Sequence, residues 1–154
     1  MPNWCEGWVK FRGSKENLMK FIQSEFNGSH PVFDDRFDEL IPNILVKSTF
    51  LNSLRRAYIT DDDLVDANGG ICLNEDGIGV FIAKINHAWS VTGQGYPELA
   101  AKYKLDIRGK CYECGMNFAE EFEYKSNGVQ TLYEVHKFED YTWECFCLVS
   151  IGRY

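Results

Sequence analysis

Residues Trp4 to Arg12 alternate: Cys5, Val9 and Phe11 point one way, and Trp4, Glu6, Trp8, Lys10 and Arg12 point the other. That period of two marks a half-buried strand, because successive side chains leave opposite faces of a pleated chain. Gly13-Ser14 ends the alternation, and Ser14 suits the N-cap of a helix. Leu18, Phe21, Ile22 and Phe26 follow at helical spacing, and Asn27-Gly28 is a helix stop. A strand leading directly into a helix opens a βα unit, whose sheet must bury one face under helices.

The later chain adds strands. Ile71 to Leu73 and Ile78 to Ile85 flank Asn74-Glu75-Asp76-Gly77, which reads as a hairpin turn. Pro97 suits the first turn of a helix running through Tyr103. Leu105 to Lys110 reads as a strand, and Met116, Phe118, Phe122 and Tyr124 alternate in the next, with Glu120 interrupting that face. Ser126-Asn127-Gly128 signals a hairpin before strands at 129–138 and 141–150. Leu45, Phe50, Leu51, Leu54 and Tyr58 suggest a helix over 43–58, although Lys47-Ser48-Thr49 forms helix poorly. The expected fold is α+β: an antiparallel sheet with helices on one face, in one domain spanning 1–154.

The 23 acidic residues exceed the 16 basic ones and give a net charge of -7, which argues against a general nucleic-acid coat while leaving room for a local basic groove. No stretch approaches the roughly 18 apolar residues of a membrane span. Met1-Pro2-Asn3-Trp4-Cys5-Glu6 lacks the basic and apolar regions of a signal peptide, so the expected location is the cytoplasm. Six cysteines are then expected to be reduced. Cys111 and Cys114 form a C-x-x-C, and Cys145 and Cys147 a C-x-C. Four such thiolates would make a zinc site if the segments adjoined. The plainer reading buries Cys145 and Cys147 in a strand with Tyr141, Trp143 and Val149.

Met1-Pro2-Asn3-Trp4-Cys5, Phe37-Asp38-Glu39-Leu40-Ile41-Pro42, Ala88-Trp89-Ser90 and Tyr112-Glu113-Cys114-Gly115-Met116-Asn117-Phe118 resemble motifs of the YubB-like family of plasmid and phage proteins. Val91-Thr92-Gly93 replaces the prolines usual after A-W-S in that family, and the acidic stretch 60–76 replaces its tryptophan-rich middle. The resemblance implies a ferredoxin-like domain, here with an insertion at about 43–70, and a mobile-element origin. It carries no catalytic residues over. Trp89 is expected to cover one end of the core. Gly115 is expected to permit a turn that sends Met116 and Phe118 into the sheet–helix interface.

His30, His87 and His136 belong to no zinc-peptidase or phosphodiesterase motif, and neither a nucleophile elbow nor a phosphate-binding glycine fingerprint occurs. Only a Cys–His pair meeting in space stays open as chemistry. No cofactor is expected. The strongest candidate for function is the run Asp61, Asp62, Asp63, Asp66, Glu75 and Asp76, which lacks the ligand order of a calcium loop. It reads either as a solvated loop or as a surface imitating phosphates to engage a basic groove on a host protein, such as a CRISPR-type or other nucleic-acid-directed defence nuclease. Trp8 is a candidate anchor ring for such an interface. The alternative function is a nucleotide- or RNA-binding domain, with hydrolytic activity left open, whose open sheet face would offer Tyr133, Phe122 and Trp143.

Overall fold

The computed structural model describes residues 3–26, 28–44, 49–59 and 70–145. Strand β1 (Trp4–Ser14) leads into helix α1 (Lys15–Glu25), and the Ser14 hydroxyl accepts from the Asn17 N–H at 3.3 Å. Short strands β2 (Val32–Asp34), β3 (Glu39–Ile41), β4 (Thr49–Phe50), β5 (Ala57–Ile59) and β6 (Ile71–Cys72) follow. The long strand β7 (Ile78–Ala88) precedes helix α2 (Tyr96–Tyr103), then β8 (Asp106–Glu113), β9 (Phe118–Tyr124), β10 (Gln130–Lys137) and a helical turn, α3 (Tyr141–Glu144).

The main sheet has the order β10-β9-β8-β1-β7-β5-β4, with every recorded pairing antiparallel, and β2-β3-β6 form a second, small sheet. β1 lies at the centre because its alternation supplies one wholly apolar face. Cys5, Val9 and Phe11 are completely buried there, and Phe11 stacks on Phe21 of α1 at 4.5 Å between ring centres. Phe26 and Phe81 close an aromatic cluster around Phe21, so α1 is held by ring packing as well as area burial. The expected α+β class and the open antiparallel sheet are borne out.

Several local expectations are not. Described residues 49–59 hold no helix; they form β4, a turn and β5. Ala57 pairs with His87 of β7, and Arg56 takes a left-handed φ of 52°, which breaks helical continuation. The apolar spacing there reflects Leu51 and Leu54 filling the core from a turn, where tertiary contacts override helix propensity. β6 joins β3 rather than pairing with β7, although the turn at Asn74–Gly77 forms, with the Ile78 N–H on the Asn74 side chain at 2.8 Å. The expected strand at 141–150 is a helical turn over 141–144, capped by Asp140, and residues 146–150 lie outside the described chain. Trp89 is half exposed with φ 76°, so it does not cover the core. Met116 is exposed too, because the turn before β9 takes its left-handed residue at Asn117 and leaves Met116 on the outside. No helix among the described residues is long and apolar enough to cross a membrane.

Candidate functional site

The small sheet gathers carboxylates that are distant in sequence. Asp34 lies opposite Glu39, Glu39 lies opposite Cys72, and the Leu73 N–H donates to the Asp38 carbonyl at 3.2 Å. Glu75 and Asp76 follow at once on an exposed turn. Asp34, Asp35, Asp38, Glu39, Glu75 and Asp76 therefore share one lobe, with the basic residues Arg36 and Lys15 beside it. Arg36 is committed to Asp34 through two contacts of 3.0 and 2.7 Å and draws that carboxyl below its usual range. Lys15 lies over the Phe33 ring at 4.0 Å. Glu39 also sits 3.5 Å from the Cys72 thiol and pushes it up. Of the residues expected to bind a partner, Glu75 and Asp76 are placed on this lobe, whereas Asp61, Asp62, Asp63 and Asp66 lie outside the described residues. Asp34, Asp35, Asp38 and Glu39 join the lobe only through the β3–β6 pairing, and their one sequence signal is that they form a second acidic cluster.

Trp8 is elsewhere. It is 43% exposed on the uncovered face of the main sheet, with Lys84 and Lys110 as its cross-strand neighbours. Six residue steps along β1 lead from it to the acidic end at Ser14, about 20 Å at strand rise. Trp4 packs edge-on against Tyr58 on this same face, 5.3 Å between ring centres. The face is not a free basic surface. Arg108 and Lys110 reach Glu121 at 3.0 and 3.7 Å, and Arg12 reaches Asp106 at 2.6 Å. Phe122, expected as a stacking ring, is fully buried against Tyr96 on the other side of the sheet, because it occupies an inward register position. Tyr133 and Trp143 are exposed, the latter at 85%.

A thiol and a histidine do meet in space. His87 Nδ1 lies 3.2 Å from the Cys5 carbonyl and 3.6 Å from Cys111 Sγ, and Nε2 lies 2.6 Å from the Tyr96 hydroxyl. Donation from Nδ1 to the carbonyl leaves Nε2 to accept from Tyr96, which assigns the tautomer from its partners. The Cys5 thiol, together with His87, draws Cys111 below the usual thiol range against the effect of burial; contact with Cys111, burial and the Glu120 carboxylate push Cys5 up. Yet Cys5, His87 and Cys111 are completely buried and Tyr96 nearly so. A nucleophile must reach its substrate, and this group is sealed between sheet and helices. It acts as a satisfied polar network inside the core.

Glu120, which seemed in sequence to interrupt an apolar face, is 3% exposed and holds the loop after β7. It accepts from the Ser90 hydroxyl at 2.7 Å, the Val91 N–H at 2.8 Å and the Tyr133 hydroxyl at 2.8 Å.

The zinc arrangement does not assemble among the described residues: Cys111 is inward, Cys114 is exposed, Cys145 is buried, and Cys147 lies outside them. No group of three or more metal-ligating side chains occurs among the described residues. Alkylation of native protein followed by peptide mapping should label Cys114 and Cys72 and spare Cys5, Cys111 and Cys145 until unfolding. Cys72 should react more slowly than a free thiol and faster after Glu39→Gln, since removing that charge restores thiolate. Native labelling of Cys111 would show that the core opens.

No family model, curated protein or solved structure matches this chain.

Proposed function

We propose that the chain is a non-enzymatic binding protein whose acidic lobe docks into a basic groove of a host protein. The pairing of β3 with β6 carries this reading, because it joins Asp34, Asp35, Asp38 and Glu39 to the turn bearing Glu75 and Asp76. The Asp61–Asp66 run precedes Gly70 by a few residues and extends the same acidic sequence. Carboxylates at such density imitate a phosphate backbone, speed encounter with a basic partner and make its affinity salt-dependent. A host nuclease directed at nucleic acid offers that kind of groove. The resemblance to plasmid and phage proteins favours such an inhibitor, acting in the host cytoplasm without a cofactor. The order β8-β1-β7-β5, with helices after β1 and β7, supports a ferredoxin-like core extended by the β9–β10 hairpin.

The test is affinity capture from host lysate at low and high salt, with the parent chain and two neutralised variants as baits. One variant carries Asp61→Asn, Asp62→Asn, Asp63→Asn and Asp66→Asn; the other carries Asp35→Asn, Asp38→Asn, Glu75→Gln and Asp76→Asn. Each is expected to lose about tenfold in affinity at low salt, if each carboxylate contributes a few tenths of a kcal/mol, and to show a flatter salt dependence. Unchanged capture by both would remove the lobe from function. Loss of capture in Trp8→Ala alone would transfer the function to the open sheet face. That face is the second reading, favoured by the exposed Trp8 between Lys84 and Lys110, and single-stranded RNA is its expected ligand.

A further inference from the structure

Strand β10 ends the main sheet and, among the described residues, pairs only with β9. Of its eight residues, Leu132 is half-buried and the others are exposed, and proline is absent. Edge strands are ordinarily kept from pairing by shortness, proline, inward charge or bulges. The opposite edge, β4, has two residues and is protected by shortness. β10 has a bulge between Gln130 and Leu132 and a lysine at its end, which leaves the stretch 132–136 open.

The ladder shows which backbone groups are open. Phe138 N–H donates to the Asn117 carbonyl at 2.8 Å, one step beyond the last β9–β10 pair. Antiparallel bonding alternates, so Leu132, Glu134 and His136 also turn their N–H and C=O groups toward β9, while Tyr133, Val135 and Lys137 turn theirs outward. The side chains of Tyr133 and Val135 stand beside the inward-facing Phe122 and Glu120, yet remain 42% and 45% exposed. Tyr133 is fixed in place, its hydroxyl held between Glu120 and Thr92 at 2.8 Å each. An aromatic and a β-branched side chain next to a row of open donors and acceptors match a further antiparallel strand.

Charge and register select whose strand it is. The chain carries a net charge of -7, but β10 carries one acid, Glu134, and one base, Lys137, so two copies meet there without the repulsion their acidic surfaces would meet elsewhere. Gln130 lines up through Tyr124 and Ile107 with Phe11, which puts the acidic lobe toward the Gln130 end of the sheet. A two-fold rotation sends the second lobe to the opposite end.

We propose that β10 pairs antiparallel with β10 of a second copy about a two-fold axis at Tyr133, joining the two main sheets into one. Tyr133 then exchanges both backbone hydrogen bonds with Tyr133 of the partner subunit, and Val135 lies diagonal to that ring. Two tyrosines and two valines thus form an apolar cluster over the seam. Leu132 lies directly opposite the partner's Glu134. Sliding one strand by two residues would set the two copies of Glu134 against each other, a like-charge pair that disfavours that register. Because the other edge of each sheet is short, pairing closes at two copies instead of continuing into a fibre. This association is separate from the role proposed for the acidic lobe.

The test is sedimentation of the full chain from about 1 to about 100 μM, the range suited to a small interface of this kind. Mass is expected to rise from 17.8 kDa toward twice that value. Val135→Pro removes an outward N–H and leaves the β9 ladder intact, and Val135→Lys places charge in the apolar cluster. Each variant should stay monomeric across the range, with its thermal midpoint as the folding control; if Val135→Pro does not fold, Val135→Lys decides. The register is read by mixing Leu132→Cys and Glu134→Cys chains under mild oxidation, where peptide mapping should find position 132 of one chain joined to position 134 of the other. The proposal is overturned by a monomer at every concentration, by a dimer that survives Val135→Lys, or by absence of the 132–134 cross-link.

Discussion

Gly7→Ala is expected to prevent folding or to remove more than about 4 kcal/mol of stability, a midpoint drop of roughly 10 °C or more for a chain of this size. Gly7 lies in the middle of β1, directly between Ile85 of β7 and Cys111 of β8. A Cβ at this position would lie 2.0 Å from the Lys110 carbonyl oxygen and 2.6 Å from the Cys111 Cα. Those are backbone atoms of a paired strand and cannot swing aside as a side chain can. Accommodation would force β1 and β8 apart at the centre of the sheet, breaking ladder hydrogen bonds and opening the core around Cys5 and Cys111. Gly109→Ala provides a graded comparison. Its Cβ would meet the Phe122 ring at 2.4 Å, a side chain that moves only at the expense of core packing, so its loss should be large but smaller. Urea denaturation of the three proteins checks the order. A Gly7→Ala protein within about 1 kcal/mol of the parent would mean that the β1–β8 approach is looser than this.

Glu25→Ala is expected to cost about 3 kcal/mol, the second largest single effect. The Glu25 side chain is completely buried at the end of α1. It accepts from the Ser53 N–H and Ser53 hydroxyl, both at 2.6 Å, from the Tyr103 hydroxyl at 2.5 Å and from Lys102 at 3.2 Å. Burial by itself would raise this carboxyl, but the donors from Ser53, Tyr103 and Lys102 outweigh it and hold it below its usual value. The sign of the pH dependence follows. A carboxyl depressed in the folded state stabilises fully above its unfolded value of about 4.3, and that contribution fades as pH falls through the lower folded value. Stability of the parent should therefore decline below about pH 4.3 with a contribution that Glu25→Gln lacks. Denaturation curves at neutral and acid pH measure both effects. An acid limb unchanged by Glu25→Gln would show that other carboxylates account for it.

How legible these features were depends on the range of the interaction responsible. The β1 alternation, the Ser14 cap, the Pro97 helix and the Ser126–Gly128 turn are local, and each forms where the residues predict it. The misreading at 49–58 came from a local spacing that tertiary contacts overrode: Leu51 and Leu54 are buried from a turn, while Ala57 reaches an edge of β7 thirty positions later. Glu120 stood out in the sequence only as an interruption of an apolar face and Glu25 carried no signal there, because a sequence does not display the donors that surround them. Glu75 and Asp76 were readable as part of a charge run, but their union with Asp34, Asp35, Asp38 and Glu39 was not.

The sequence by itself determined the class of fold, the central strand and its buried face, and the excess of negative charge, since periodicity and composition act through neighbouring residues. Tertiary structure alone decided which carboxylates share a surface, and that His87 and Cys111 meet but are sealed. Those outcomes depend on strand pairings between residues far apart in the chain, whose geometry is set by the packed sheet rather than by any local preference.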